Sequence, residues 1–245
     1  SAMRANPRAY TLSIFFPSYL DVNWISKFTK ELLKIQRKYN FYLLGGDLSR
    51  SNKLQISATF FGSPKFNKVV PQNIMKVDND IWLTGEIGDS FVGLQILKNK
   101  INIKDKKMKN YFLDKYYHPK PCMLGSKINN YVSSMKDVSD GFIGDLKKMI
   151  INKHGAYINI NNFPISLNLR KIIRSKIISI KYILNSGDNY NLICVAKDTD
   201  RKKILNIAKK NNVKITLVGK ILNNSKILFD SNNTLNIPKE FDHFL

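Results

Sequence analysis

"DIWLTGEIGDSFVGLQILK" (Asp80 to Lys98) decides the fold class. It reads as a strand, a glycine-rich turn and a helix in immediate succession. Gly85 and Gly88 let the chain turn sharply, and Asp89 and Ser90 open the helix. A strand, a glycine turn and a helix start can cradle a phosphate on backbone N–H groups. A lone GxxGD is also an ordinary turn. It is not a P-loop, because GxxxxGK[ST] occurs nowhere in the chain, and it is not the dinucleotide-binding fingerprint.

Outward from this unit, strands and helices keep alternating. Toward the N-terminus, "YTLSIFF" (Tyr10 to Phe16) is a β-rich run stopped by Pro17. Asp21 can cap the following helix, in which Ile25, Phe28, Leu32, Ile35 and Tyr39 recur at helical spacing. "FYLLGGD" predicts a strand ending in a Gly-Gly turn. "KLQISATFFG" alternates as a strand with one packed face. "SPKFNKVVPQN" (Ser63 to Asn73) is the best linker. Toward the C-terminus, "LKNKINIKDKKMKN" (Leu97 to Asn110) predicts a surface loop, and "PKPCMLGSKINNYVSS" a loop and a helix. The stretch "YININNFPI" (Tyr157 to Ile165) predicts a strand running into a turn at Pro164. "YNLICVAKD", "VKITLVGKI" and "KILFD" read as strands around an amphipathic helix, "DTDRKKILNIAKKNN". The class is therefore α/β or mixed α+β. The expected division is a domain over 1–64 and a second over 65–245.

The 245 residues are enough for two ordinary domains, and 43% hydrophobic content suits a buried core. Lys and Arg number 40 against 18 Asp and Glu, a net charge of +22. That excess points to nucleic acid or to small anions such as phosphates. The lysines are scattered rather than aligned on one helix face, with no Gly/aromatic RNA-binding signature, so they read mainly as solvated surface and nucleic acid is not the expected partner. Cys122 and Cys194 stand far apart with no CxxC, which argues against structural zinc and disulfides and fits a reducing cytoplasm. No uninterrupted apolar run of membrane-spanning length occurs.

Acidic residues gather where the basic chain would not be expected to put them. "KDVSDGFIGDLKK" (Lys136 to Lys148) places Asp137, Asp140 and Asp145 at the start of a predicted helix. One Asp could be a cap. Two Asp three residues apart, with Ser139 between them and Gly141 after, repel each other unless they share a cation or a proton. "GGDLSR" adds Gly45, Gly46, Asp47, Ser49 and Arg50 after a strand. There the glycines permit close backbone approach, Asp47 could hold a metal and Arg50 could pair with a phosphate. Carboxylates beside phosphate-binding glycines suit Mg²⁺ carried between them and a nucleotide such as ATP.

The order of motifs resembles bacterial thiamine-monophosphate kinase, in the superfamily of aminoimidazole ribonucleotide synthetase, selenophosphate synthetase and a hydrogenase maturation factor. The matching pieces are "AMRANP", "GGDLSRS", "IWLTGEIGDSFVGL", "HPKPCMLG", "DVSDGFIGDL", "SGDNYNLICVA", "LVGKI" and "FDHFL", in family order over nearly the whole chain. The resemblance implies a two-domain ATP-binding fold, a homodimer made through the first domain, and ATP with Mg²⁺ held between the domains. It implies transfer of the γ-phosphate of ATP to thiamine monophosphate, giving thiamine diphosphate. By matching positions it makes Asp47 and Asp140 metal ligands, with Asp137 and Ser139 beside them. Gly85, Gly88, Asp89 and Arg50 fall near nucleotide phosphates, and Asp188 and Phe241 by the thiamine. "AMRANP" matches the end of a family helix. An N-terminal segment carrying an Asp-Asp motif has no counterpart here, so the chain is expected to begin mid-domain.

Two departures stand out. The family's Gly-Glu-Asp-Tyr-Glu-Leu is Gly187-Asp188-Asn189-Tyr190-Asn191-Leu192 here, and the terminal aromatic, often Trp, is Phe241. His118 before Pro119 reads as a loop residue near the nucleotide, His243 as structural, and both cysteines as core-facing or inert. The rival readings are another ATP-dependent enzyme of the superfamily, or a degenerate basic relative that binds nucleic acid.

Overall fold

The first strand, β1 (Ala5–Phe16), sends Tyr10, Leu12 and Ile14 to one side, where all three are buried. The computed structural model describes residues 1–64, 74–150 and 154–230. Helix α1 (Val22–Tyr39) covers that side of β1 with Phe28 and Leu32. Asp21 caps α1, its Oδ1 accepting from the Trp24 N–H at 2.8 Å, and Asn40 ends it in a left-handed conformation. Strand β2 (Tyr42–Arg50) then pairs parallel to β1, and β3 (Gln55–Pro64) pairs antiparallel on its other side, giving the order β2-β1-β3.

Two expectations fail here. Ala5, Asn6 and Pro7 are strand, not the end of a helix. Gly45 and Gly46 do not turn the chain; β2 runs straight through them. The pairing slips by one residue at this point, and a Cβ on Gly46 would strike the Leu12 carbonyl oxygen at 1.7 Å. The glycine permits close strand approach at an irregularity.

Contacts divide the chain into two compact units, Ala5–Val69 and Val70–Leu245, the second including Ala2–Arg4. The second unit is built on a six-stranded sheet. In chain order its elements are β4 (Asp80–Thr84), α2 (Asp89–Leu97), α3 (Lys106–Tyr117), α4 (Gly125–Ile128), β5 (Ser134–Asp137), α5 (Phe142–Met149), β6 (Gly155–Ile158), α6 (Leu167–Arg174), α7 (Ile180–Leu184), β7 (Leu192–Ala196), α8 (Arg201–Lys210), β8 (Ile215–Leu222) and β9 (Ile227–Phe229). The strand order is β5-β7-β4-β8-β6-β9, antiparallel throughout except for β6 with β9.

Both faces of this sheet are covered, which is why "DIWLT" and "LICVA" read as unbroken apolar runs. Ile81, Leu83, Ile193 and Val195 face a core completed by Val92, Phe112, Phe142, Leu146 and Leu169. Trp82, Leu192, Cys194 and Ala196 face a second core completed by Leu124, Ile128, Ile204 and Ala208. Burial pushes the Cys194 thiol up, away from reactivity. The buried Asp80 is held by Arg201 through two hydrogen bonds of 2.5 and 2.7 Å. The lysine-rich loop expected over 97–110 is a loop only to Asp105; that residue caps α3, accepting from the Met108 N–H. No helix among the described residues is long and apolar enough to cross a membrane.

Candidate active site

The acidic segment that opens α5 is ordered by one of its own carboxylates. Asp145, with no exposed surface, accepts the N–H groups of Ser139, Asp140 and Gly141 on a single oxygen, Oδ2, at 2.9, 2.9 and 3.2 Å. Its Oδ1 makes no hydrogen bond but faces the Lys136 ammonium at 3.4 Å. Asp145 therefore folds the 139–141 turn rather than meeting a ligand. Asp140 lies partly exposed and pairs with Lys148 at 2.7 Å. The cation that neutralises it here is a lysine in the last turn of α5. Asp137 ends β5 opposite Leu192.

The segment continues as a backbone ladder past β5. The N–H of Asp188 donates to the Ser139 carbonyl at 2.9 Å and that of Tyr190 to the Val138 carbonyl at 2.9 Å, while Val138 N–H donates to Asn191 O at 2.8 Å. This places Ser139 and Asp188, drawn from two separate motifs, side by side. On the far side of the 186–191 loop lies the 85–88 turn. Gly85 and Gly88 both have positive φ, 64° and 96°.

The amides of this turn are already engaged. Gly85 N–H donates to Lys214 O at 2.7 Å, Ile87 N–H to Pro164 O at 3.2 Å, and Gly88 N–H to the Asn189 side chain at 2.8 Å. They hold the walls of the site together rather than pointing at a phosphate. Asp89 is buried at the first position of α2. Its two oxygens accept from Ser166 Oγ and Tyr111 OH, each at 2.7 Å. Burial raises its pKa, against the opposing pull of those two hydrogen bonds. Tyr111 is raised as well, by burial first and by Asp89 second.

These elements border one open cleft of about 590 Å³. Gly85, Asp89 and Asp188 line it, and so do residues that the pattern of motifs did not assign: Glu86, Lys115, Lys120 and Lys214. His118 also lines it, its Nδ1 2.9 Å from Asp114 Oδ1. Cys122 lines it too, half-buried, where the sequence suggested a core-facing or inert residue. Lys214 is paired with Glu86 at 2.8 Å. Lys115 lies over the Tyr111 ring at 5.3 Å. Among the described residues, neither Lys115 nor Lys120 has a carboxylate ion-pair partner. Lys115 and Lys120 thus bring positive charge that an anion can meet to a cleft that also carries the Glu86, Asp89 and Asp188 carboxylates. The rim lysines carried no spacing signal, although Lys120 sits within "HPKPC" and so was within reach.

Asp47 and Arg50 belong to the N-terminal unit. Both are exposed on β2, and Asp47 accepts from Ser49 Oγ at 2.7 Å. Phe241 and His243 lie outside the described residues. Among the described residues no group of three or more His, Cys, Asp or Glu could hold a metal ion. The Asp137 and Asp140 carboxylates suit a Mg²⁺ delivered with a nucleotide, which needs only one or two protein carboxylates.

An α/β unit with glycine turn, acidic turn and a cleft lined by lysines and carboxylates defines a class, and the comparisons agree on it. The family described as "AIR synthase related protein" matches twice, by its N-terminal domain over residues 1–63 and by its C-terminal domain over residues 76–229. A thiamine-monophosphate kinase of Buchnera aphidicola subsp. Schizaphis graminum is 34% identical over 253 aligned positions, which cover all of this chain and 76% of that one. The chain belongs to the thiamine-monophosphate kinase family. In fold it is similar to the crystal structure of thiamine-monophosphate kinase from Stenotrophomonas maltophilia K279a, with a TM-score of 0.82 at 24% identity, covering 94% of this chain and 73% of that one. It is equally similar to AaThiL complexed with AMPPCP and TMP, with a TM-score of 0.82 at 21% identity over 99% of this chain and 76% of that one.

Proposed function

We propose that this protein transfers the γ-phosphoryl group of Mg²⁺-ATP to the phosphate of thiamine monophosphate, giving thiamine diphosphate and ADP. The observation that carries this reading is the convergence of the 85–89, 118–123 and 188–191 motifs on one charged cleft, in a chain with this family's sequence.

The reaction needs positioning and charge neutralisation more than covalent chemistry. One oxygen of the thiamine monophosphate phosphate forms a bond to the γ-phosphorus, and the bond from that phosphorus to the β–γ bridging oxygen breaks. ADP leaves with the electron pair. A phosphate monoester carries about 1.5 to 2 negative charges at neutral pH, so no general base is required. Lys115 and Lys120 offset the charge of the phosphates at the cleft. Asp137 and Asp140, with Ser139 between them, would hold magnesium, which would neutralise the nucleotide's phosphates; Lys148 pairs with Asp140. Asp47 is assigned to magnesium binding, and Arg50 to a phosphate. Gly85, Gly88 and Asp89 are assigned to the wall beside the nucleotide phosphates, the glycines letting Asn191, Ile183 and Leu169 pack closely against that turn. Asp188 and Phe241 are assigned to the thiamine. The protein acts as a homodimer through its N-terminal unit, in the cytoplasm.

The test is ADP release from Mg²⁺-ATP with and without thiamine monophosphate, in the wild type and in Asp140→Asn. Release that requires thiamine monophosphate and falls at least about a hundredfold in the variant is the expected result, a loss of roughly 2.7 kcal/mol of transition-state stabilisation. ADP release indifferent to thiamine monophosphate would overturn the substrate assignment. A variant as fast as the wild type would overturn the role of Asp140.

A further inference from the structure

The 186–191 loop is held in a backbone conformation that its residues would not adopt alone. Asp188 and Tyr190 have φ values of 60° and 54°, the left-handed region that non-glycine residues avoid, and they flank Asn189 on either side. The loop persists because its neighbours over-determine it. Asn189 is the principal one. It is buried, and every polar atom of its side chain is used: Nδ2 donates to Ser186 O at 2.8 Å and to Gly187 O at 2.9 Å, and Oδ1 accepts from Gly88 N–H at 2.8 Å. A neutral amide satisfies all three partners. An alanine would leave the Gly88 N–H without an acceptor.

Asn191 makes the second tie. Its Nδ2 donates to Glu86 O at 2.9 Å, and its side chain lies directly on Gly85, where a Cβ would meet Asn191 Oδ1 at 2.5 Å. The two amides therefore bind one loop to the opposite turn at successive positions, 85–86 and 88. The residues between and beside them, Glu86 and Asp188, carry carboxylates to the cleft. Lys115, Lys120 and Lys214 line the same cleft, Lys214 paired with Glu86, so both signs of charge meet in one pocket. That mixture suits a ligand with a cationic ring and an anionic phosphate.

We propose that Asn189 and Asn191 are positioning residues, whose side-chain amides clamp the 186–191 loop to the 85–88 turn and so hold Asp188 and Glu86 where they receive the cationic part of the phosphoryl acceptor. This rests on the reading of the protein as a kinase acting on thiamine monophosphate. Both side chains reach the wall of the cleft, but their hydrogen bonds are made to the loop and the turn, so they act through the carboxylates they place.

The test uses the full chain in three forms: wild type, Asn189→Ala and Asn191→Ala. Hydrogen exchange at the Gly88 amide reads the clamp without reference to catalysis, and steady-state kinetics reads its consequence. In Asn189→Ala Gly88 is expected to exchange at least tenfold faster. KM for thiamine monophosphate is expected to rise about tenfold in both variants, with KM for Mg²⁺-ATP within twofold of wild type. Unchanged Gly88 exchange in Asn189→Ala would overturn the clamp. A fall in melting temperature with both KM values unchanged, or a parallel rise in both, would overturn the placing of the carboxylates for the acceptor. A wild type that releases no ADP in response to thiamine monophosphate would instead sink the kinase reading. The clamp would then be judged by Gly88 exchange, and its service to the acceptor by calorimetric titration with thiamine monophosphate. Failure of the wild type to bind would overturn that service as well.

Discussion

Asp145 and Asp89 are both buried carboxylates beside the candidate site, and they have opposite consequences. Asp145 is surrounded by donors, three backbone N–H groups and a nearby lysine, so its charge is used. Asp145→Ala should destabilise the protein by about 2–4 kcal/mol in urea unfolding, because the turn amides lose their acceptor. Asp145→Asn, which keeps one acceptor oxygen, should lose less, and equal losses would count against the turn as the cause. Asp89 has two hydroxyl donors but lies too deep for them to offset its burial, so its pKa stands above the ordinary 3.8. The folded state therefore holds that proton more tightly than the unfolded chain. The stability this contributes is complete below about 3.8 and is lost as the pH rises through the raised native value. Relative to wild type, Asp89→Asn should gain stability steadily across that window, read as the difference between two urea-unfolding series against pH. A difference independent of pH would refute it. The sequence displayed all of these acids, and their gathering in "DVSDG" and "GEIGD" was legible. What each one faces was not, since that depends on Ser166, Tyr111 and Lys136, which no local spacing connects to a carboxylate.

Glycine placement decides how the elements meet, and the two glycines beside the site should respond differently to substitution. Gly141, at φ 130°, precedes α5, and a Cβ there would lie 2.6 Å from the Asn185 backbone carbon. Gly88, at φ 96°, precedes α2, and its Cβ would meet the ends of the Ile183 and Leu169 side chains at 2.4 and 2.8 Å. Both positions carry the backbone strain of an L-residue at positive φ, of order 1–3 kcal/mol. Side-chain ends can move and a backbone carbon cannot, so Gly141→Ala should lower the melting temperature more than Gly88→Ala. The reverse order would mean that the packing of α6 and α7 on Gly88 is stiffer than the main chain at Asn185. At this scale most of the fold was readable, because doubly buried strands such as "LICVA" and the Asp21 cap are signals carried by adjacent residues. The Gly-Gly pair of β2 was misread because a close strand approach and a turn both select glycine. Only the partner strand, at Leu12, distinguishes them. The start of α3 was missed for a related reason: lysine density resembles a loop, while the cap at Asp105 is a single residue.

The whole molecule carries +22, and among the described residues exposed apolar side chains gather on the small N-terminal sheet, Tyr42, Leu48, Phe60 and Phe61 among them. On that sheet α1 covers the side bearing Tyr10, Leu12 and Ile14. The register sets Tyr42 and Phe61 on either side of Ala9, on the opposite face, where they are 60% and 48% exposed. Large exposed rings flanking a small residue on a face bearing Thr11, Ser13 and Thr59 rather than lysine form a place where self-repulsion is low and apolar burial is available. Association of two copies through this face is the arrangement expected to satisfy it, since a twofold interface presents the same patch from both sides. Phe61→Glu would place two like charges near the axis of such an interface, at a cost of several kcal/mol in a desolvated setting. Sedimentation velocity at micromolar concentration should therefore give a dimer for the wild type and a monomer for Phe61→Glu, with Asp21→Ala as a control that loses a helix cap, about 1 kcal/mol, yet stays dimeric. High salt should leave the wild-type dimer intact or tighten it, because an apolar contact is not screened while the net positive charge of each copy is. A wild type that sediments as a monomer would remove the dimer from the account. A dimer that survives Phe61→Glu would move the interface to another face of the molecule.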